Sequence, residues 1–155
     1  MTQHLAELNI GRLIAEPGDP RIGEFMDALD RINGLGKRMP GFVWMMEGSG
    51  EPGTGNTENH LADDPQLVAN LTVWSDVDRL RTFVFDTLHR QFLARRQEWF
   101  EVLGEQHFVM WWVPQGHRPG LGEAMARLEH LRENGPSDHA FGWEAFRTTD
   151  TKDLV

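Results

Sequence analysis

Four short segments, residues 5–10, 42–46, 68–74 and 108–113, are apolar at nearly every position, and stretches with helical periodicity separate them. The order that results is β-α-β-β-α-β, which predicts an α+β fold of ferredoxin-like type built on one antiparallel sheet. Such a sheet usually hides one face and wets the other, so strands that read Phe42-Val43-Trp44-Met45-Met46 and Phe108-Val109-Met110-Trp111-Trp112-Val113 call for cover on both faces. The two helices of the repeating unit cover one face. The other face is expected to meet a second copy of the chain, which makes the protein a homodimer with sheets packed face to face.

The helices are marked by their caps and their apolar spacing. Asp19 and Pro20 predict a helix start, and Ile22, Phe25, Met26, Leu29 and Ile32 recur on one side before Gly34 and Gly36 end the pattern. Ser75-Asp76-Val77-Asp78 reads as a capping box, and Val77, Leu80, Val84, Leu88, Phe92, Trp99 and Leu103 form the stripe of a second helix. That helix runs toward Leu103, or breaks in two near His89. A third helix carries Leu121, Ala124, Met125, Leu128 and Leu131 on one side and stops at Gly135-Pro136. Between strands two and three, residues 47–66 are rich in Gly, Asn, Pro and acids, the composition of a mobile lid or of plain disorder. Residues 141–146 suggest an edge strand, and 148–155 a frayed tail.

A chain of 155 residues predicts a single domain, with a core over about residues 3–146 and no room for a second. Cysteine is absent, which excludes a thiol nucleophile, thiolate metal sites and disulfides. No basic stretch leads into an apolar one at the N-terminus, and no run approaches the ~20 apolar residues of a membrane span, so a cytoplasmic protein without a membrane partner is expected. The net charge of −9 would repel a phosphate backbone and argues against nucleic acid. Arg79, Arg81, Arg90, Arg95 and Arg96 cluster, but Glu98 and Glu101 interleave with them, as on a solvated helix face.

No strong catalytic signature is present. Gly50-Glu51-Pro52-Gly53-Thr54-Gly55 lacks a lysine and a following helix, and reads as a flexible loop. His60 with Asp63 and Asp64 has ligands suited to a hard metal ion, but loops of this composition are common without one, and no metal is expected. His130 and Glu133, at i,i+3 near a helix end, read as structural.

More informative are polar residues inside apolar strands, since burying them costs free energy unless something binds them. Glu7 and Asn9 share one face of the first strand, and Asn70 and Thr72 one face of the third. In a ferredoxin-like sheet those strands are neighbours, so Asn9 and Asn70 meet, either as cross-strand hydrogen-bonding partners or as the polar wall of a ligand pocket between sheet and helices. His89 follows Phe85 and Leu88 near the expected helix break, where an imidazole serves as a core residue, a general base or a haem ligand. Trp44, Trp74, Trp99 and Trp112 are candidates to line a cavity for a flat or aromatic molecule, because tryptophan offers a broad apolar wall and one donor. The lack of tyrosine removes a phenol from the possible acids.

Three strings, His4-Leu5-Ala6-Glu7-Leu8-Asn9-Ile10, Pro40-Gly41-Phe42-Val43-Trp44 and Trp111-Trp112-Val113-Pro114-Gln115-Gly116-His117, resemble a bacterial family of unknown function, with likeness from His4 to about Phe146. The resemblance implies a place in the dimeric α+β barrel superfamily, beside the antibiotic-biosynthesis monooxygenases. Haem-degrading members of that superfamily use a strand-one asparagine, a helical tryptophan and a helical histidine; Asn9 and His89 look like counterparts of the first and last. The tryptophan position falls on or near Phe83, and the histidine comes early, which departs from the haem pattern. Cofactor-free members commonly involve Asn, Trp and Tyr, and this chain has no Tyr. The reading that results is a homodimer acting on a small hydrophobic molecule as a monooxygenase-like enzyme without cofactor. Asn9 and His89 are its candidate catalytic residues, and Glu7, Trp44, Asn70, Thr72, Trp74, Phe83, Trp99 and Trp112 its pocket. The alternatives are a non-catalytic ligand carrier and a haem protein.

Overall fold

In the computed structural model, which describes residues 3–47 and 63–146, the four apolar segments form β1 (Gln3–Arg12), β2 (Phe42–Met45), β3 (Leu67–Trp74) and β4 (Phe108–Pro114). They pair antiparallel throughout in the order β2-β3-β1-β4, the ferredoxin-like arrangement. Asp19 accepts from the Arg21 N–H and caps a short 3-10 turn, Pro20–Ile22, which leads into α1 (Gly23–Arg38). Gly34 and Gly36 do not end this helix, contrary to the sequence expectation. Gly36 is instead a contact point: a Cβ there would sit 3.2 Å from Cζ of Phe83, so the missing side chain lets the next helix layer close down.

The second helical region breaks one residue pair before His89. α2 (Val77–Asp86), capped by Asp76, stops at Thr87, and α3 (Leu88–Ala94) starts there. Thr87 serves both ends, since its Oγ1 donates to the Phe83 carbonyl (2.6 Å) and accepts from the His89 N–H (3.2 Å). The helix does not reach Leu103. After a 3-10 turn at Arg96–Glu98, the chain runs alongside the end of β1, with Ile14 N–H donating to the Trp99 carbonyl (2.9 Å) and Glu101 N–H to that of Arg12 (2.8 Å). Backbone groups of an extended β1 need partners, and that demand overrides the helical stripe.

Side chains alternate across the sheet. Ala6, Leu8, Ile10, Leu71, Val73, Val109 and Trp111 point to one face and pack with Ala124, Leu128 and Leu131 of α4 (Leu121–Asn134). Glu123 fixes the first turn of α4 by accepting from Trp111 Nε1 (3.0 Å) and bonding His117 Nε2 (2.7 Å). The opposite face carries α1, α2 and α3. Helices therefore lie on both faces, and the cover that the sequence argument assigned to a second copy comes from α4 of the same chain. Along the β2 edge Val43 is 39% exposed, and Trp44 and Met46 are half-buried against the α4-side core. Residues 141–146 do not form an edge strand: Phe141 makes a single bridge to Met110, and Trp143–Phe146 is a 3-10 turn. Most of the 47–66 loop, with the 50–55 glycine run and His60, and the 148–155 tail lie outside the described residues. No described helix is long and apolar enough to cross a membrane.

Candidate functional site

Between the sheet and α1–α3 lies a cavity of about 180 Å³. Its polar floor comes from β1 and β3. Register places Glu7 opposite Thr72 and Asn9 opposite Asn70, so all four polar residues project the same way, under the helices. Apolar walls come from Trp74 and Phe83, stacked at 5.4 Å between ring centres, and from Trp99, stacked on Phe92 at 5.6 Å. An apolar cavity of about 150 Å³ is known to admit benzene, so the space corresponds to one six-membered ring with small substituents.

Glu7 is the most heavily perturbed group. Burial pushes its carboxyl up to about 7 against a partial offset by the Thr72 hydrogen bond. Trp74 Nε1–H donates to Thr72 Oγ1 (2.9 Å), which leaves the single hydroxyl proton of Thr72 to donate to Glu7 Oε1 (2.6 Å). Oε1 is thereby held as an acceptor in either protonation state. A proton on Glu7 resides on Oε2, which has no hydrogen-bond partner among the described residues and is the oxygen left for a ligand.

His89 sits at the start of α3. The helix break exposes the Val84 carbonyl, and only a donor can meet it, so the contact from His89 Nδ1 (3.1 Å) fixes the proton on Nδ1 and leaves Nε2 bare. Burial lowers its pKa from the ordinary value, against the Val84 hydrogen bond, so the ring is neutral at pH 7. Asn70 Oδ1 is buried without a hydrogen-bond partner among the described residues, although Asn9 lies directly opposite. The two amides are therefore not a closed cross-strand pair.

Eight of the ten sequence candidates line this one cavity: Glu7, Asn9, Asn70, Thr72, Trp74, Phe83, His89 and Trp99. Two do not. Trp44 points to the α4 side of the sheet, because its register partner is Val73 rather than Thr72. Trp112 is on the cavity side but beyond its end, packed against Phe141 and Phe146 at 6.2 Å. Sequence reasoning missed Asn33 of α1 and Arg96, both in the cavity wall. The interleaved charges put Arg96 on a solvated helix face, yet adjacent Arg95 and Arg96 project about 100° apart on a helical turn, so one face never accounts for both. The other polar clusters have structural partners: Asp64 pairs with Arg12 (2.9 Å), and the His130 ring stands against His139 rather than Glu133. Among the described residues no group of His, Asp and Glu could hold a metal ion.

Several solved structures are similar to this chain. The Pseudomonas aeruginosa protein PA3566 shares 14% identity over 76% of this chain and 98% of its own, with a TM-score of 0.48. A candidate antibiotic biosynthesis monooxygenase from Chloroflexus aurantiacus shares 18% over 76% and 99%, at 0.45. SnoaB, a cofactor-independent oxygenase from Streptomyces nogalater, shares 18% over 78% and 99%, at 0.43. No curated protein matches. A family model described as a domain of unknown function, DUF3291, matches residues 4–154, and the chain belongs to that family.

Proposed function

We propose that the cavity is the active site of a monooxygenase-like enzyme that binds one small, flat, mostly apolar molecule and removes a proton from an acidic O–H or C–H group on it. The observation that carries this reading is the Glu7 carboxyl, buried against the cavity and balanced near neutral pH. A structural carboxylate would be paired or solvated, whereas a group whose pKa matches the working pH exchanges protons most effectively. Glu7 Oε2 and the bare Nε2 of His89 are the two sites at which a proton is held or moved. Asn9 and Asn70 supply amide donors and one open acceptor to orient the polar edge of the molecule, while Trp74 and Phe83 hold its plane and exclude water.

The anion so formed is the species that molecular oxygen attacks. Oxidation of an activated methylene to a carbonyl, with one oxygen atom retained and the other leaving as water, balances without an external reductant. Haem does not fit. Nε2 of His89 is a suitable donor for iron, but a space for one six-membered ring does not take a porphyrin.

Oxygen uptake with monocyclic phenols and cyclic 1,3-diketones, without added cofactor, tests the proposal. Uptake by the wild type should fall about 100-fold or more in Glu7→Gln, the scale of a lost acid–base group, while phenol still binds. Unchanged uptake in Glu7→Gln overturns the proposal. Binding without uptake in any assay assigns the cavity to a carrier or sensor instead.

A further inference from the structure

The cavity has a mouth. Asn9, Leu93, Arg96 and Phe108 belong both to its wall and to an open groove that continues past His107 and Trp143 to the surface. At this junction Arg96 is half-buried, with its guanidinium carbon 6.0 Å from the Phe100 ring centre. Its neighbour Arg95 is held by both Glu24 (2.6 Å) and Glu98 (2.7 Å). Arg96 makes no ion pair with a carboxylate among the described residues.

The carboxylates that border the groove are already engaged. Glu105 faces Arg132 at 3.3 Å, and Glu144 Oε1 accepts from the Gly142 N–H at 3.1 Å. Burial lowers the Arg96 pKa from its ordinary value, and His107, which lines the same groove, is kept neutral by burial and by Arg96 itself. A half-buried guanidinium that borders an open groove is available to an anion, and its planar fork matches a carboxylate.

We propose that Arg96 anchors a carboxylate of the ligand at the cavity mouth, so that the molecules taken are small monocyclic carboxylic acids, ring inward and acid group in the groove. The site so described is selective rather than attractive at long range, since a chain with net charge −9 repels anions in general. The proposal rests on the reading of the cavity as a ligand site and adds the chemical class of the ligand. It also assigns an order to the groups: the ring's acidic substituent lies against Glu7 and His89, and the carboxylate lies at the opposite end.

Tryptophan fluorescence of the full chain reports binding, because Trp74 and Trp99 line the cavity. The probes are 4-hydroxybenzoate, its uncharged analogue 4-hydroxybenzamide, and phenol. The acid should bind the wild type on the order of tenfold more tightly than the amide, and Arg96→Gln should erase that preference. Equal affinity for acid and amide in the wild type overturns the proposal without any variant, even where Arg96→Gln fails to fold. A preference that survives in Arg96→Gln or in Arg96→Met overturns it as well. Phenol bound without acid preference removes only the carboxylate anchor, whereas failure of all three probes to bind removes the cavity reading with it.

Discussion

The two faces of the sheet are made by the same strands, residue by alternate residue, and they could hardly differ more. Toward α4, β1 presents Ala6, Leu8 and Ile10, β3 presents Ala69, Leu71 and Val73, and every one is buried in an unbroken apolar core. Toward α1–α3 the same strands present Glu7, Asn9, Asn70 and Thr72 around an open space. A closed core is the cheaper solution, and the α4 side shows that this chain can build one. Among the described residues the cavity side keeps a carboxyl near pH 7, an amide oxygen without a hydrogen-bond partner and a guanidinium without an ion pair, none of which packing requires.

The largest expected effect separates neighbouring residues on opposite faces. Leu8→Ala should cost about 2–5 kcal/mol, because a fully buried side chain leaves a void that close-packed neighbours fill only in part. Asn9→Ala should cost less than about 1 kcal/mol, since Asn9 already borders empty space. Chemical denaturation measures both, and equal losses would mean that the cavity face is packed core. Next comes the pH dependence of Glu7. Its folded pKa of about 7 exceeds the ordinary 4.5, so the folded state binds the extra proton and its stability declines as pH rises through that window. Glu7→Gln, which keeps an acceptor for Thr72, should flatten the decline and gain about 3 kcal/mol at pH 8 over the wild type, with no gain below pH 4. Thermal melts across pH check the slope, and a wild-type profile already flat between pH 4.5 and 7 would place Glu7 in a polar setting instead. The smallest effect is at Asn70. Asn70→Leu removes the buried Oδ1 that lacks a partner and should stabilise by about 1 kcal/mol while weakening phenol binding. A loss of stability would show that Oδ1 is paired after all.

Much of this is legible in the sequence. The alternation of side chains along a strand has a period of two, so Glu7 with Asn9 and Asn70 with Thr72 had to share faces once the strands were placed, and the β-α-β-β-α-β order made those strands neighbours. His89 reaches the same cavity from the first turn of α3, just past the break at Thr87 that the sequence places near it. Trp44 lies outside the cavity because an apolar side chain is equally content on either face and the irregular register between Phe42 and Trp44 shifts β2 relative to a simple alternation, whereas Trp112 shares the cavity face but packs beyond its end. Arg96 was hidden because its charge matched its neighbours' and only its surroundings set it apart.

Local pattern by itself thus determined the strands, most of each helix, the family resemblance and the polar floor of the site, since these depend on residues a few positions apart. Tertiary structure alone decided that α4 returns to cover the second face, that residues 99–101 run beside the end of β1 instead of extending a helix, and that Arg96 stands at the cavity mouth without an ion pair among the described residues. Each of these is a competition between distant segments for the same surface or the same hydrogen bonds. The outcome of such a competition is set by the free energy of the assembled layers, which no window of sequence contains.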